Sequence, residues 1–241
     1  MTGNALNIGV LEFVLALSWC TIAFTSYYFL SHSHTLAERA GAMFKGFESQ
    51  GKQIMMQRML GVLFLGIFSS LIILLLPGAS LKDFGLQFSF LIRPPWWTYL
   101  LLPLIVGLSF LTAGRPWNLA MYPQIRSKHW TSRLLFISAL GWLVFLIGYE
   151  FLFRGFLLHA SLNLMQPVPA IAVNVAVYAF AHMYKGPGET FGAIPLGILF
   201  CYLTIITGNI WSAVILHSVM ALSNEWFSIR AHPEMRVSKS G

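Results

Sequence analysis

Charged side chains are scarce in this chain. They make up 10% of its 241 residues, whereas hydrophobic residues make up 57%. Soluble domains carry about 25% charged residues, and a soluble protein of this length could not cover its surface with so few. The composition therefore predicts a multi-pass integral membrane protein. No polar stretch is long enough to fold separately, so we expect a single membrane domain.

Cysteine is also scarce, and a cleavable leader is not expected. Cys20 and Cys201 both lie in apolar runs, which predicts packing residues and no disulfide framework. The amino terminus has no positively charged segment, and its first apolar run extends to about Leu30. A signal peptide has a shorter apolar region, so we interpret this run as a retained membrane span.

The sequence shows no internal repeat, no low-complexity tract and no glycine-rich phosphate loop. Its net charge of +7 would suggest nucleic acid as a partner in a soluble protein. In a membrane protein the excess has a simpler origin, because Lys and Arg collect in cytoplasmic loops. We therefore expect the lipid bilayer, and no nucleic acid, as a partner.

The apolar runs predict an all-α fold, a polytopic transmembrane helical bundle of seven to eight spans. Breaks such as Pro77-Gly78 and Gly186-Pro187-Gly188 separate these runs. Seven spans are expected at 7–30, 59–77, 97–114, 133–163, 167–183, 190–207 and 209–227. With the amino terminus outside, twelve Lys and Arg residues face the cytoplasm and two, Lys82 and Arg93, face outward. This distribution agrees with the positive-inside rule.

Two opposite charges stand out inside the apolar sequence. Glu150 and Arg154 are the only formal charges between Arg133 and Lys185. A charge at membrane depth costs about 2.5–3.5 kcal/mol on insertion scales, so such residues indicate a functional site. Their i, i+4 spacing places them on one helix face, with the glutamate on the favoured amino-terminal side. The alternative is a neutralising pair that joins neighbouring helices.

Two histidines in apolar surroundings complete the candidate site. His182 ends the pattern Tyr178-Ala-Phe-Ala-His182, and His217 lies inside the last span. Each could instead serve a structural role, His182 at the membrane interface and His217 in a bond between helices. His159 lies near a helix end, and we interpret it as structural.

The order of these elements resembles the CPBP family of intramembrane proteases, also called the Abi or CAAX-protease family. Its signature is Glu-Glu-x-x-x-Arg, then Phe-x-x-x-His, then His-x-x-x-Asn/Asp on successive helices. The segment Tyr149-Glu150-Phe-Leu-Phe-Arg154-Gly-Phe-Leu is similar to the first motif, and the patterns ending at His182 and beginning at His217 are similar to the others. The resemblance covers about residues 133–227 and implies a catalytic core there. The apolar runs and the charges predict amino-terminal transmembrane helices at 1–132 with a cytoplasmic loop at 31–58, and a cytoplasmic tail at 228–241.

Two positions depart from the family pattern. Tyr149 stands where the family has its first glutamate, which is usually assigned the activation of water. Ala221 stands where the family has Asn or Asp, four residues after the last histidine. Four site residues therefore transfer, namely Glu150, Arg154, His182 and His217, while Asn224 is a candidate substitute for the missing amide.

The resemblance implies hydrolysis of a peptide bond in a membrane-anchored or lipidated protein, in the inner membrane of a prokaryote. Glu150 with His182 would activate water, His217 would stabilise the oxyanion and Arg154 would orient the carboxylate. A metal such as zinc is an open alternative, with Glu150, His182 and His217 as its ligands. A catalytically inactive relative that acts as a membrane scaffold also stays open. A small proton-coupled carrier is a third reading, although the inverted repeat expected of one is not seen.

One geometric difficulty bears on the number of spans. At 1.5 Å per residue, Glu150 lies about 25 Å along a straight helix from Arg133. A straight helix over 133–163 would then hold Glu150 at a different depth from His182. A break near Gly148 would bring the two to one depth and add an eighth span.

Overall fold

A computed structural model of the protein describes residues 2–40, 44, 47–87 and 93–238, with the side chains of 2–7 and 40 excepted. Helices account for most of the described chain. The helices are α1 (Thr2–Ser31), α2 (His34–Ala40), α3 (Ser49–Gly61), α4 (Phe68–Leu74), α5 (Thr98–Thr112), α6 (Pro116–Met121), α7 (Ser132–Glu150), α8 (Leu158–Leu162), α9 (Pro167–Phe180), α10 (Pro187–Thr207) and α11 (Trp211–Ala231). Two short strands, β1 (His129–Thr131) and β2 (Arg236–Ser238), pair in parallel.

The helices confirm the predicted class, an all-α membrane bundle. Within the described residues, four helical stretches are long and apolar enough to cross a membrane: Ile8–Ser31, Ser49–Leu74, Ser132–Leu162 and Pro187–Thr207. Thr98–Thr112 and Pro167–Phe180 are apolar but shorter. Each of the seven predicted spans overlaps one of these helices or α11, while the number that cross the bilayer stays a prediction.

The chain forms two compact units, and each is assembled from three separate stretches. The first unit contains the described residues of 1–26, 63–94 and 147–214. The second contains those of 27–62, 95–146 and 215–241. The predicted division of the chain at 132 and 227 remains a prediction.

A helical hairpin is the central feature of the first unit. The helix that begins as α7 runs without a break past Gly148, through a π-helical turn at Phe151–Leu157 and into α8. After a short connection, α9 returns antiparallel to it. Tyr149 and His182 lie at similar distances along the chain from this connection, and their side chains meet. The expectation that an unbroken helix over 133–163 would hold His182 at a different depth is therefore wrong. The two positions lie level because α9 runs back antiparallel from the connection.

The segment between α4 and α5 packs against the same hairpin. The ring of Phe84 is buried against Phe156, with the ring centroids 5.7 Å apart. Gln87 Nε2 donates a hydrogen bond to the carbonyl of Gly208 at 3.0 Å, and Trp211 Nε1 donates to the carbonyl of Gln87 at 2.9 Å. These contacts attach the segment to the turn between α10 and α11.

A buried ion pair organises the second unit. Arg58 and Glu225, whose side chains are 4% and 1% exposed, approach to 3.7 Å between Nη2 and Oε1. Arg58 Nη1 donates to the carbonyl and the hydroxyl of Ser138 at 2.8 and 3.0 Å, and the Ser138 hydroxyl donates to Glu225 at 3.0 Å. The guanidinium also lies over the ring of Trp142, 4.5 Å from its centroid. The network joins α3, α7 and α11, and it takes Arg58 out of the loop in which the sequence analysis places it.

Candidate functional site

The glutamate and arginine of the first motif form an ion pair. Glu150 ends α7, and Arg154 lies one turn later in the π-helical turn. Arg154 Nη1 and Glu150 Oε2 are 3.3 Å apart, and both side chains are 0% exposed. The predicted i, i+4 pair is present, therefore, and the two charges neutralise each other where water is excluded.

Aromatic rings enclose the guanidinium of Arg154. Its central carbon lies 4.0 Å from the ring centroid of Tyr178 and 5.4 Å from that of Phe200, which are distances of cation–π contact. A Cβ at Gly197 would lie 3.6 Å from Arg154 Nη2 and 3.3 Å from the Tyr178 ring. The glycine thus lets α10 approach the pair closely. The enclosure fixes Arg154, and Arg154 in turn fixes the carboxylate of Glu150.

A second glycine, Gly155, allows the chain to pass close to the pair. A Cβ on Gly155 would lie 2.9 Å from the Phe84 carbonyl oxygen and 2.6 Å from the Phe151 ring. Any larger residue would push the segment between α4 and α5 away from the motif. This contact gives a physical reason for the Arg-Gly sequence in the first motif.

An asparagine that the sequence analysis missed holds the π-helical turn. Asn174 is fully buried, and its Nδ2 donates a 2.6 Å hydrogen bond to the carbonyl of Phe153. The Cys201 thiol donates to Asn174 Oδ1 at 3.1 Å. Wide helical turns are frequent at functional sites, and here a side chain of the neighbouring helix binds a carbonyl of the turn. The signal available was an amide within the apolar run 167–180, which membrane helices use for bonds between helices.

His182 follows the end of α9, with its side chain 5% exposed. Its Nδ1 lies 2.8 Å from the Tyr178 carbonyl and 3.5 Å from the Tyr149 hydroxyl. Because a carbonyl can only accept, Nδ1 carries the proton, and in the neutral ring Nε2 carries the lone pair. Nε2 is the atom that a general base would use. The structure thus brings His182 into contact with Tyr149, the residue that precedes Glu150 in the sequence.

His159 has the structural role that was predicted for it. Its Nδ1 lies 2.9 Å from the carbonyls of both Arg154 and Gly155. Two carbonyls of the π-helical turn therefore share one donor on the ring. The ring therefore binds the backbone of the first motif.

His217 lies on α11, in the second compact unit, and is half-buried. Ala221 packs with Trp142 and Leu146 in an apolar cluster. Asn224, the candidate substitute for the missing amide, is half-buried and forms no hydrogen bond through its side chain with the described part of the chain. The roles assigned to His217 and Asn224 stay predictions.

The metal alternative gains no support from the arrangement of ligands. Across 2–40, 44, 47–87 and 93–238, no group of three or more His, Cys, Asp or Glu side chains could hold a metal ion. Glu150 is already paired with Arg154 at 3.3 Å. The ligand set Glu150, His182 and His217 therefore stays a conditional prediction.

Comparison with known families places this site within a recognised pattern. The model of a family described as type II CAAX prenyl endopeptidase Rce1-like matches residues 130–223. This segment is Rce1-like. The match confirms the resemblance to the CPBP, or CAAX-protease, family that the three motifs indicate. No curated protein and no solved structure matches the chain.

The Rce1-like segment includes the four transferable residues and both departures, Tyr149 and Ala221. At the level of the family it indicates a peptidase of the CAAX-protease type, acting within a membrane. The family's substrates are membrane-anchored and prenylated, and the four apolar helices agree with an integral membrane protein. The ion pair, the aromatic enclosure and His182 all lie within the Rce1-like segment, whereas Phe84 comes from outside it.

Proposed function

We propose that the protein is an intramembrane endopeptidase that hydrolyses a peptide bond in a membrane-anchored or lipidated protein. The single observation that carries the proposal is the buried Glu150–Arg154 pair on the hairpin, where the Tyr178 ring contacts both Arg154 and His182. Buried, paired charges at membrane depth are costly and mark functional sites. We also infer that it lies in the inner membrane of a prokaryote, with the loops rich in Lys and Arg on the cytoplasmic side.

In the proposed reaction, a water molecule attacks the carbonyl carbon of the scissile bond. His182 Nε2, acting with Glu150 on the same hairpin, accepts the proton of this water. Arg154 keeps Glu150 ionised and oriented. His217 donates a hydrogen bond to the developing oxyanion, which is stronger where water is sparse. When the carbon–nitrogen bond breaks, the proton on His182 passes to the leaving amine.

The test is cleavage of a farnesylated peptide with a CAAX ending by the full-length protein in proteoliposomes. His182→Gln should lower kcat by about 10²–10⁴, the contribution of a positioned general base. His34→Gln, which alters an exposed histidine on α2, should leave kcat unchanged. Equal cleavage by the His182→Gln and unaltered proteins would overturn the mechanism.

Glu150 needs a different substitution strategy because its removal leaves a buried guanidinium unpaired. Glu150→Gln alone is expected to lose about 3–5 kcal/mol of stability as well as activity. The double variant Glu150→Gln with Arg154→Met removes both charges and should restore stability without restoring cleavage. Recovery of cleavage in the double variant would assign the pair a purely structural role.

The second candidate function is a catalytically inactive member that binds a membrane partner. Tyr149 favours it, because a phenol replaces the carboxylate that the family is expected to use. Under this function the unaltered protein cleaves no peptide, and Tyr149→Glu creates activity. Ala221→Asn is a poor companion test, since it would place an amide against Trp142 and Leu146 at a cost of about 1–3 kcal/mol.

A further inference from the structure

A cavity of about 330 Å³ lies in the second unit, at the start of the candidate span Ser132–Leu162. Its apolar wall includes Ile125, Leu134 and Ile137. Its polar wall includes Glu48, His129 and Arg133. A volume near 300 Å³ is at the lower end of the range for small-molecule sites, which combine apolar walls with a few convergent polar groups.

The polarity of the cavity changes in a fixed order along the span. His129 lies just before the helix, and Arg133 lies in its first turn. Ile137 follows Arg133 by four residues, so it lies on the same helix face about 6 Å further along the span. Leu134 adds apolar surface beside Arg133 in the first turn. The order from basic to apolar is the order of a phospholipid in the adjoining leaflet, with the headgroup first and the acyl chain after it.

The polar side chains that line the cavity differ in whether they already have hydrogen-bond partners in the protein. Arg126 is committed to the protein, because Nη1 donates to the carbonyls of Leu119 and Tyr122 at 2.8 and 3.3 Å and Nη2 donates to that of Ala120 at 2.6 Å. The side chains of Arg133, His129 and Glu48 form no hydrogen bond or ion pair with any residue that the structure describes.

Two guanidinium groups, Arg126 and Arg133, face one carboxylate, Glu48, so the cavity carries a net positive charge. This balance fits a headgroup with one negative charge better than a zwitterionic one. Arg133 and His129 supply the donors that a phosphodiester accepts. Basic pockets at the ends of membrane helices bind anionic headgroups for the same reason.

We propose that this cavity binds an anionic phospholipid. Its phosphodiester accepts hydrogen bonds from Arg133 and His129, and the first carbons of an acyl chain lie against Leu134 and Ile137. Glu48 accepts hydrogen bonds from the hydroxyls of a glycerol headgroup. The cavity shares no residue with the proposed active site, and the proposal does not depend on peptidase activity.

The experiment measures lipid binding to the full-length protein, purified in detergent and delipidated, by native mass spectrometry. Phosphatidylglycerol should bind about tenfold more tightly than phosphatidylethanolamine, and Arg133→Gln should remove that preference, since a hydrogen bond to a charged group contributes roughly this much. Arg230→Gln removes a similarly exposed charge on α11 that does not line the cavity, so it should leave binding unchanged. His129→Gln is the second variant and should weaken phosphatidylglycerol binding in the same direction.

Other outcomes would overturn the proposal. Equal affinity for the two lipids would show that the charge of the cavity does not select a headgroup. Arg133→Gln without effect would place the bound lipid elsewhere. Displacement of the lipid by inorganic phosphate at equal concentration would show an anion site without a contribution from the acyl chain. Unfolding temperatures of all variants, measured in the same detergent, confirm that each remains folded.

Discussion

The ring of His182 touches two tyrosines in different ways. The Tyr178 carbonyl takes the proton of Nδ1 at 2.8 Å, and the Tyr149 hydroxyl lies at the longer distance of 3.5 Å. The first bond fixes which nitrogen could act as a base. The second places a phenol where the related proteases are expected to carry a carboxylate, so under the proposed function position 149 is expected to influence the base.

Replacement of Tyr149 by glutamate tests this reading directly. Tyr149→Glu should raise kcat on the farnesylated peptide by about tenfold or more, because a carboxylate beside His182 adds a positioned base. It should also lower the unfolding temperature, because a charge replaces a buried ring. Tyr149→Phe is the matched control and should leave kcat nearly unchanged, since the Tyr178 carbonyl still holds His182. A Phe variant as slow as His182→Gln would instead place the phenol itself in the reaction.

The π-helical turn at Phe151–Leu157 connects the motif to its surroundings. Its carbonyls are bound by Asn174 and His159, and Gly155 brings the Phe84 carbonyl against it. The turn therefore depends on two separate stretches of the chain, around Phe84 and Asn174, and on the next turn of its own helix. Loss of any of these contacts should disturb the Glu150–Arg154 pair.

Gly155→Ala should destabilise the protein by about 1–3 kcal/mol, the usual cost of overpacking. A Cβ there would meet the Phe84 carbonyl oxygen at 2.9 Å, and backbone cannot move aside as a flexible side chain can. Gly192→Ala is the control in the same unit, since a Cβ at Gly192 has no described atom within 4 Å. It should stabilise α10 by about 0.5–1 kcal/mol. The measurement is thermal unfolding in detergent, and similar unfolding temperatures for the two variants would contradict the packing argument.

Much of the element structure could be predicted from the sequence, and the reasons for the failures are physical. Apolar runs and their Pro and Gly breaks located the helices, and the i, i+4 spacing located the ion pair. The depth argument failed because it measured Glu150 from Arg133 and ignored the hairpin that brings His182 level with Tyr149. The π-helical turn and its bond to Asn174 have no sequence periodicity of their own, so pattern reasoning could not find them.

At the scale of the whole chain, the sequence analysis missed the buried ion pair between Arg58 and Glu225. The exposed pair between Lys128 and Glu234 is a useful comparison for its contribution to stability. Arg58 was counted as a loop charge because α3 begins at Ser49, ten residues before the apolar run starts. Its partner, Glu225, is far away in the sequence, and no local pattern joins the two. Lys128 and Glu234 also form a pair, at 3.3 Å, but their side chains are 70% and 65% exposed.

The two pairs should respond very differently to the same substitution. Glu225→Gln leaves the Arg58 charge buried without compensation, and we expect a loss of about 3–5 kcal/mol. Glu234→Gln removes an exposed pair and should cost less than about 1 kcal/mol. Chemical denaturation of both variants in detergent gives the comparison. Equal losses would mean that the Arg58–Glu225 network does not contribute to the stability of the second unit.

The contact between Phe84 and Gly155 also bears on how the protein can be divided experimentally. Residues 130–223 carry the recognised pattern, yet the carbonyl that closes on Gly155 and the amide that binds Gly208 come from Phe84 and Gln87, upstream of that range. A truncated fragment that begins at residue 130 would lack both. It would retain every motif residue but lose the segment that packs against the π-helical turn at Gly155.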